Sequence, residues 1–199
     1  MKFVSFKSYF KDFPVFTISD ITTVYPNFDR RRLTEWQHKG YIRKIAKGLY
    51  IFNDADLDEA MLFRIANKLY RPSYISLETA LGYYHFIPEA VYGITSVSTR
   101  RTYRFETPVA LFSYRTIAPK LFFGYTITDE SLMIATPEKT LLDFFYLNSS
   151  IDGDTAIDYL RLNREELTNQ LHKERLLQQL TRFSSRALTE RVFRFLERI

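Results

Sequence analysis

The order of segments in this chain predicts an α+β fold: an N-terminal winged helix-turn-helix, a mixed α+β region and a helical C-terminal tail. Three observations carry that expectation. Residues 27–52 read as a basic helix followed by a short basic hairpin. Residues 90–135 hold several strand-type runs broken by Pro108 and Gly124. From Asp154 onward the pattern is helical to the end.

The first elements are short. Phe3, Phe6 and Phe10 recur at helical spacing, so a helix is expected over Phe3 to Lys11, and Pro14 stops it. Thr17 opens a second helix, with Asp20 in a capping-box position, and Pro26 ends it. Asn27 is the expected cap of the third helix. On that helix Leu33 and Trp36 share an apolar face, with Asp29 and Gln37 beside it. Arg31, Thr34, Glu35 and His38 point away, and Arg30 and Arg32 flank them. Gly40 follows. Tyr41, Ile42, Ile45, Leu49 and Ile51 are strand-type residues interleaved with Arg43, Lys44 and Lys47, and Gly48 supplies the freedom of a tight turn.

A basic helix followed by a basic hairpin is the pattern with which winged-helix proteins place a helix in the major groove and a wing on the phosphates. The candidate DNA-binding residues are therefore Arg30, Arg31, Arg32, Thr34, Gln37, His38, Arg43, Lys44 and Lys47. An arginine triplet alone would favour a solvated charged face, and the basic hairpin that follows shifts the reading toward DNA. Charge distribution favours the nucleic-acid reading. Residues 1–53 carry ten Lys or Arg against four Asp or Glu, a balance of +6, while residues 54–199 carry eighteen against nineteen.

The polar stretch Asn53 to Asp58 marks a boundary, so the expected domains are 1-55, 56-147 and 148-199. Asp56 with Glu59 signals a helix from about Leu57 to Leu69, with Met61, Leu62, Ile65 and Leu69 inward. Arg71-Pro72 ends it, and Ser76 opens the next helix. Strands are expected at 90–98, 103–105, 109–117, 121–127 and 132–135. Thr136-Pro137-Glu138 starts a helix that is apolar nearly all round, and therefore buried. In the tail, Asn163 with Glu166 is a capping box. Leu188, Val192, Phe195, Leu196 and Ile199 line one face of the last helix, with Arg186, Arg191, Arg194 and Arg198 on the other.

Other chemistry finds little purchase. The chain has no cysteine, which excludes disulfides and thiolate sites and fits a reducing cytoplasm. No run of residues is long and apolar enough to span a bilayer, and the first residues are not a secretion signal. His38, His85 and His172 are widely separated, so no zinc site is expected. His85 reads as a core or helix-end residue. Asp152 and Asp154 lack the later ligands of a calcium loop. Glu138 and Asp143 fall on different helix faces, against a nuclease centre with Lys139. The aromatic pairs Tyr83-Tyr84 and Phe122-Phe123 read as core rather than as base-stacking platforms. No metal, cofactor or enzymatic activity is expected. Arg100, Arg101 and Arg104 form a second basic patch. It suits either a solvated strand end or a surface for an acidic partner or DNA backbone.

The blocks GYIRKIAKGLYIF, ANKLYRPSYISLETALGYYHFIPEAVYGITSVSTRR, ETPVALFSYRTI and IATPEKTLLDFFYL carry a resemblance. From about Phe13 to Leu147 the chain resembles the AbiEi-type antitoxin regulators of bacterial type IV toxin–antitoxin systems, first linked to abortive phage infection. The resemblance implies a winged helix that binds operator DNA and represses its own operon, with a C-terminal domain needed for antitoxin action. It also implies a nucleotidyltransferase-like toxin encoded nearby. Its recognition-helix and wing basics correspond here to Arg30, Arg31, Arg32, Arg43, Lys44 and Lys47. Self-association on inverted repeats is a further expectation. The alternatives are a stand-alone winged-helix transcription factor and, from another class, a nucleic-acid-processing enzyme targeted by the winged helix.

Overall fold

The structure is a computed structural model that describes residues 1–89, 91–128 and 131–199. The expected α+β character is present. The N-terminal elements run α1 (Phe3–Phe10), β1 (Val15–Thr17), α2 (Ile18–Val24), α3 (Arg31–His38), β2 (Ile42–Ala46) and β3 (Leu49–Phe52). The strands form one antiparallel sheet in the order β1-β3-β2. Gly48, at φ +77°, turns β2 into β3. The capping box forms at α2: the Asp20 amide donates to Thr17 Oγ1 at 3.1 Å and the Thr17 amide to Asp20 Oδ2 at 2.9 Å. An aromatic core holds these elements together. Phe6 lies 4.7 Å from Trp36 and 5.3 Å from Phe16 between ring centres, and Phe16 lies 5.0 Å from Phe52.

Two local expectations are corrected here. Asn27 does not cap α3, because the helix starts four residues later. Arg30 stands at the cap position without a side-chain cap bond, and Asp29 Oδ1 accepts the Arg31 amide at 3.0 Å. The three-residue β1 was not anticipated. It is too short to show a period, and it exists because Val15–Thr17 pairs with Leu49–Ile51.

The rest of the chain builds a six-stranded mixed sheet, ordered β6-β7-β5-β4-β9-β8. Its strands are β4 (Ser73–Ile75), β5 (Ile94–Ser98), β6 (Tyr103–Glu106), β7 (Leu111–Thr116), β8 (Tyr125–Ile127) and β9 (Met133–Ala135). The strand expected from Ala90 begins at Ile94, and Ala90 lies outside the described residues. The expected strand from Leu121 is shorter too. Pro119–Leu121 forms a 3-10 turn, and Gly124, at φ +71°, delays extension to Tyr125. β4 was missed, since three buried residues between a proline and a helix give no periodic signal.

Helix α4 (Glu59–Leu69) packs between the two sheets. Its cap is Asp58, which accepts the Met61 amide at 2.7 Å, rather than Asp56. Its buried residues are Met61, Phe63, Ile65, Ala66 and Asn67, while Leu62 and Leu69 are only half-buried. A helix covered on two sides buries a wider stripe than a surface helix. Helix α5 (Leu77–Tyr83) follows β4.

Helix α6 (Pro137–Leu147) is buried nearly all round, as its composition implied. Thr136 caps it, accepting the Lys139 amide at 3.4 Å. The tail supplies α7 (Asp154–Asp158), α8 (Arg164–Gln170), α9 (Lys173–Leu180) and α10 (Arg186–Leu196), which pack on α6 and α5 around one apolar core. Asn163 caps α8 by accepting the Glu165 and Glu166 amides.

Arg191 is a further correction. It does not decorate the solvent face of α10 but is buried, with Nη1 donating to the Phe145 carbonyl at 2.7 Å and Nε to the Ala187 carbonyl at 3.1 Å. A guanidinium there satisfies a carbonyl in the last turn of α6. Ile199, expected inside, is 38% exposed. The cores run across both sequence boundaries: Val15, Ile45, Leu49 and Ile51 pack with residues of α4 and the larger sheet, and the tail shares its core with residues 74–145. No helix is long and apolar enough to cross a membrane among the described residues.

Candidate nucleic-acid interface

Helix α3 and the β2–β3 hairpin form one adjoining surface. Leu33 and Trp36 are buried and anchor α3. Arg30, Arg31, Thr34, Glu35 and His38 are exposed, and Arg32 and Gln37 are half-buried. Arg31 is the most open cation of the helix, its side chain 92% exposed, with Nε donating to Asp29 Oδ1 at 3.1 Å. That bond draws the Asp29 carboxyl below its ordinary value. Glu35 and Lys39 pair at 2.6 Å, which lowers the carboxyl and raises the ammonium. Gln37 turns back on the helix, Nε2 donating to the Leu33 carbonyl at 3.0 Å, so it reads nothing in this state.

The N-terminus of α3 is electrostatically unusual. A helix start carries partial positive charge and favours carboxylates. Here Arg30, Arg31 and Arg32 crowd that end, and the first turn holds no acid. Asp29, bonded to Arg31, offsets part of this charge. A phosphate or another anion would relieve this local repulsion and accept from the guanidinium groups.

The hairpin adds cations at its outer face. A register shift between Lys44 and Ala46 sends Ile45 into the core and leaves Lys44 exposed. Lys47 is exposed at the turn. Neither lysine makes an ion pair among the described residues. Arg43 differs: its Nη2 and Nε donate to Asn53 Oδ1 at 3.0 and 3.2 Å, tying β2 to the residue after β3.

The chain matches no known family model and no curated protein.

The second basic patch lies on the other sheet, at the β5–β6 turn and the edge strand β6. Arg100 is partly committed, its guanidinium 4.5 Å from the Tyr70 ring centre and Nη1 3.4 Å from the Arg71 carbonyl. Arg104 stands 3.7 Å from Glu106, and Arg101 is exposed. His85 is exposed at the end of α5 in a left-handed conformation, φ +57°, which fits the helix-end reading rather than the core one.

Sequence reasoning missed a buried polar cluster. Lys139 Nζ donates to Asp143 Oδ1 and, at 2.9 Å, to the Tyr74 hydroxyl. Asp143 Oδ2 accepts from Tyr74 at 2.8 Å and from Ser76 at 3.0 Å. Both charged side chains are fully buried. Burial pushes the Asp143 carboxyl up and the Lys139 ammonium down, against the attraction of each for the other. The available signal was a Lys–Asp pair four apart on an otherwise apolar helix. Glu138 faces elsewhere: its Oε1 accepts the His172 amide at 3.2 Å, and Oε2 lies 3.7 Å from Arg175 Nε.

Proposed function

We propose that the N-terminal residues form a winged helix that binds double-stranded DNA, with α3 in the major groove and the β2–β3 hairpin on the phosphates. The observation that carries this reading is the joint surface of α3 and the hairpin. Arg30, Arg31 and Arg32 crowd the positive end of a short helix whose other face is anchored by Leu33 and Trp36. Lys44 and Lys47 extend the same charge onto the hairpin without ion pairs among the described residues. The element order helix–strand–helix–helix–strand–strand and the sheet order β1-β3-β2 support it as well. In this role Arg31 and Thr34 meet base edges. Arg30, Arg32, His38, Lys44 and Lys47 meet phosphates, and Arg43 and Gln37 join only by exchanging their present bonds to Asn53 and Leu33.

The biological role proposed is that of a repressor and antitoxin of a bacterial type IV pair, acting in the cytoplasm on its own operator. It rests on the resemblance of residues 13–147, and the partner is a nucleotidyltransferase-like toxin encoded nearby. Two measurements test it. The full chain should retard DNA from upstream of its own gene in preference to a scrambled competitor. It should also restore growth to cells expressing the neighbouring gene. Absence of preferential retardation would remove the repressor reading, and absence of rescue would remove the antitoxin reading.

A further inference from the structure

A cleft of about 670 Å3 opens where the N-terminal elements meet α4. Its volume falls in the range of small-molecule sites. Its lining includes Arg64 and Lys68, one turn apart on α4, and Arg71 just past the helix end. Tyr9 from α1 and Phe13 from the turn before β1 also line it. These aromatic side chains are 53% and 62% exposed, so each leaves a large part of its apolar surface open to a ligand. The carboxylates lining the cleft among the described residues are Asp12 and Asp20.

Asp20 is already engaged. Lys68 Nζ donates to Asp20 Oδ2 at 2.9 Å and to the Val15 carbonyl at 2.8 Å. Asp20 is also half of the capping box that starts α2. The cleft therefore abuts the polar contact that ties α4 to β1 and to the start of α2. Arg71 is exposed, and its Nε donates to the Asn67 carbonyl at 3.2 Å, which orients the guanidinium.

We propose that this cleft is an effector site for a small anion bearing a planar ring, of nucleoside monophosphate size, and that its occupancy alters the DNA affinity of α3 and the hairpin. The exposed Arg71 guanidinium recognises the anion, and the Tyr9 and Phe13 rings receive the planar group. A ligand held between Arg71 and the Tyr9 and Phe13 rings favours one setting of α1 against α4, and α1 shares its small core, through Phe6 and Phe10, with Leu33 and Trp36 of the reading helix. Differential affinity for two settings is what couples a ligand to DNA. The coupling rests on the DNA-binding function proposed above, whereas the binding site does not.

The test titrates the full chain by calorimetry with adenosine 5′-monophosphate, and separately with adenosine and with ribose 5-phosphate. The nucleotide should bind with a Kd of about 1 mM or tighter, and each half at least about tenfold more weakly. Arg71→Gln and Phe13→Ser, both at exposed positions, should each weaken nucleotide binding at least about fivefold and leave the thermal midpoint in place. No binding of the adenosine, guanosine, cytidine or uridine monophosphate would overturn the site, as would binding that both variants leave unchanged. Saturating nucleotide should then shift the Kd for upstream DNA at least about threefold. Nucleotide binding with unaltered DNA affinity would overturn the coupling and leave the site. If the chain bound no DNA under either condition, the DNA reading and the coupling would fall together, and the titration alone would decide the site.

Discussion

Lys44→Ala with Lys47→Ala is the perturbation that reads the hairpin most directly. Both side chains are exposed and neither is tied by an ion pair among the described residues, so each is available to a phosphate. Each neutralised phosphate contributes about 0.9 to the slope of log affinity against log salt, so the double variant should lose about 1.8. Between about 50 and 200 mM salt, that difference means the native protein weakens about twelvefold more than the variant. Exposed substitutions of this kind leave stability within about 0.5 kcal/mol, so the thermal midpoint should not move. Fluorescence anisotropy on a labelled duplex across that salt range supplies the slope. Arg43→Ala serves as a contrast, because Asn53 already holds its guanidinium and its loss should change the slope less. A slope unchanged in the double variant, with native stability, would take the hairpin off the DNA.

Arg31→Ala should weaken binding to the preferred site by about 1–3 kcal/mol and binding to unrelated DNA by less; equal losses in competition assays would reduce Arg31 to a phosphate contact. Lys139→Met strands the fully buried Asp143 carboxylate, so urea denaturation should report a loss of about 3–5 kcal/mol. Adding Asp143→Leu should recover part of it, since the buried Tyr74 and Ser76 hydroxyls then lose their acceptor, and a single variant within about 1 kcal/mol of native would contradict the account of the pair. Asp20→Asn should cost about 1 kcal/mol, most of it from the α2 cap, since the Asp20 side chain is 40% exposed and its pairing with Lys68 is screened. Partial burial raises the Asp20 carboxyl, but the bonds from Lys68 and Thr17 outweigh it and the net shift is downward from 3.8. A depressed folded value means the stabilisation is full above the unfolded one and fades as pH falls through the folded one. The gap between native and Asp20→Asn midpoints should therefore be constant above about pH 5 and close below about pH 4; a gap that widened on acidification would reverse the assignment.

What the sequence determined by itself was local. The Thr17–Asp20 box, the Thr136-Pro137 helix start and the Asn163 cap each span no more than one helical turn and formed where the residue types required, although the expected box at Asn163 is only half made, its amide donating to the Phe86 carbonyl rather than to Glu166. The phase of α3 was legible for the same reason, since Leu33 and Trp36 mark the inner face three residues apart and Gly48 marks the turn beyond. Tertiary structure decided everything that depends on a distant partner. Val15–Thr17 and Ser73–Ile75 are strands because other strands lie beside them, and three residues carry no period. Asp58 displaced Asp56 as a cap because packing of α4 between two sheets set where its first turn begins. Arg191 looked like a surface arginine by spacing, yet the last turn of α6 offered it a carbonyl 46 residues away in sequence. Lys139 and Asp143 entered the sequence reading only as parts of a rejected nuclease centre, and Tyr74 and Ser76, brought up on and just after β4, make them a buried polar cluster. Burial and its partners are properties of the assembled core, and a local pattern of residue types does not encode them.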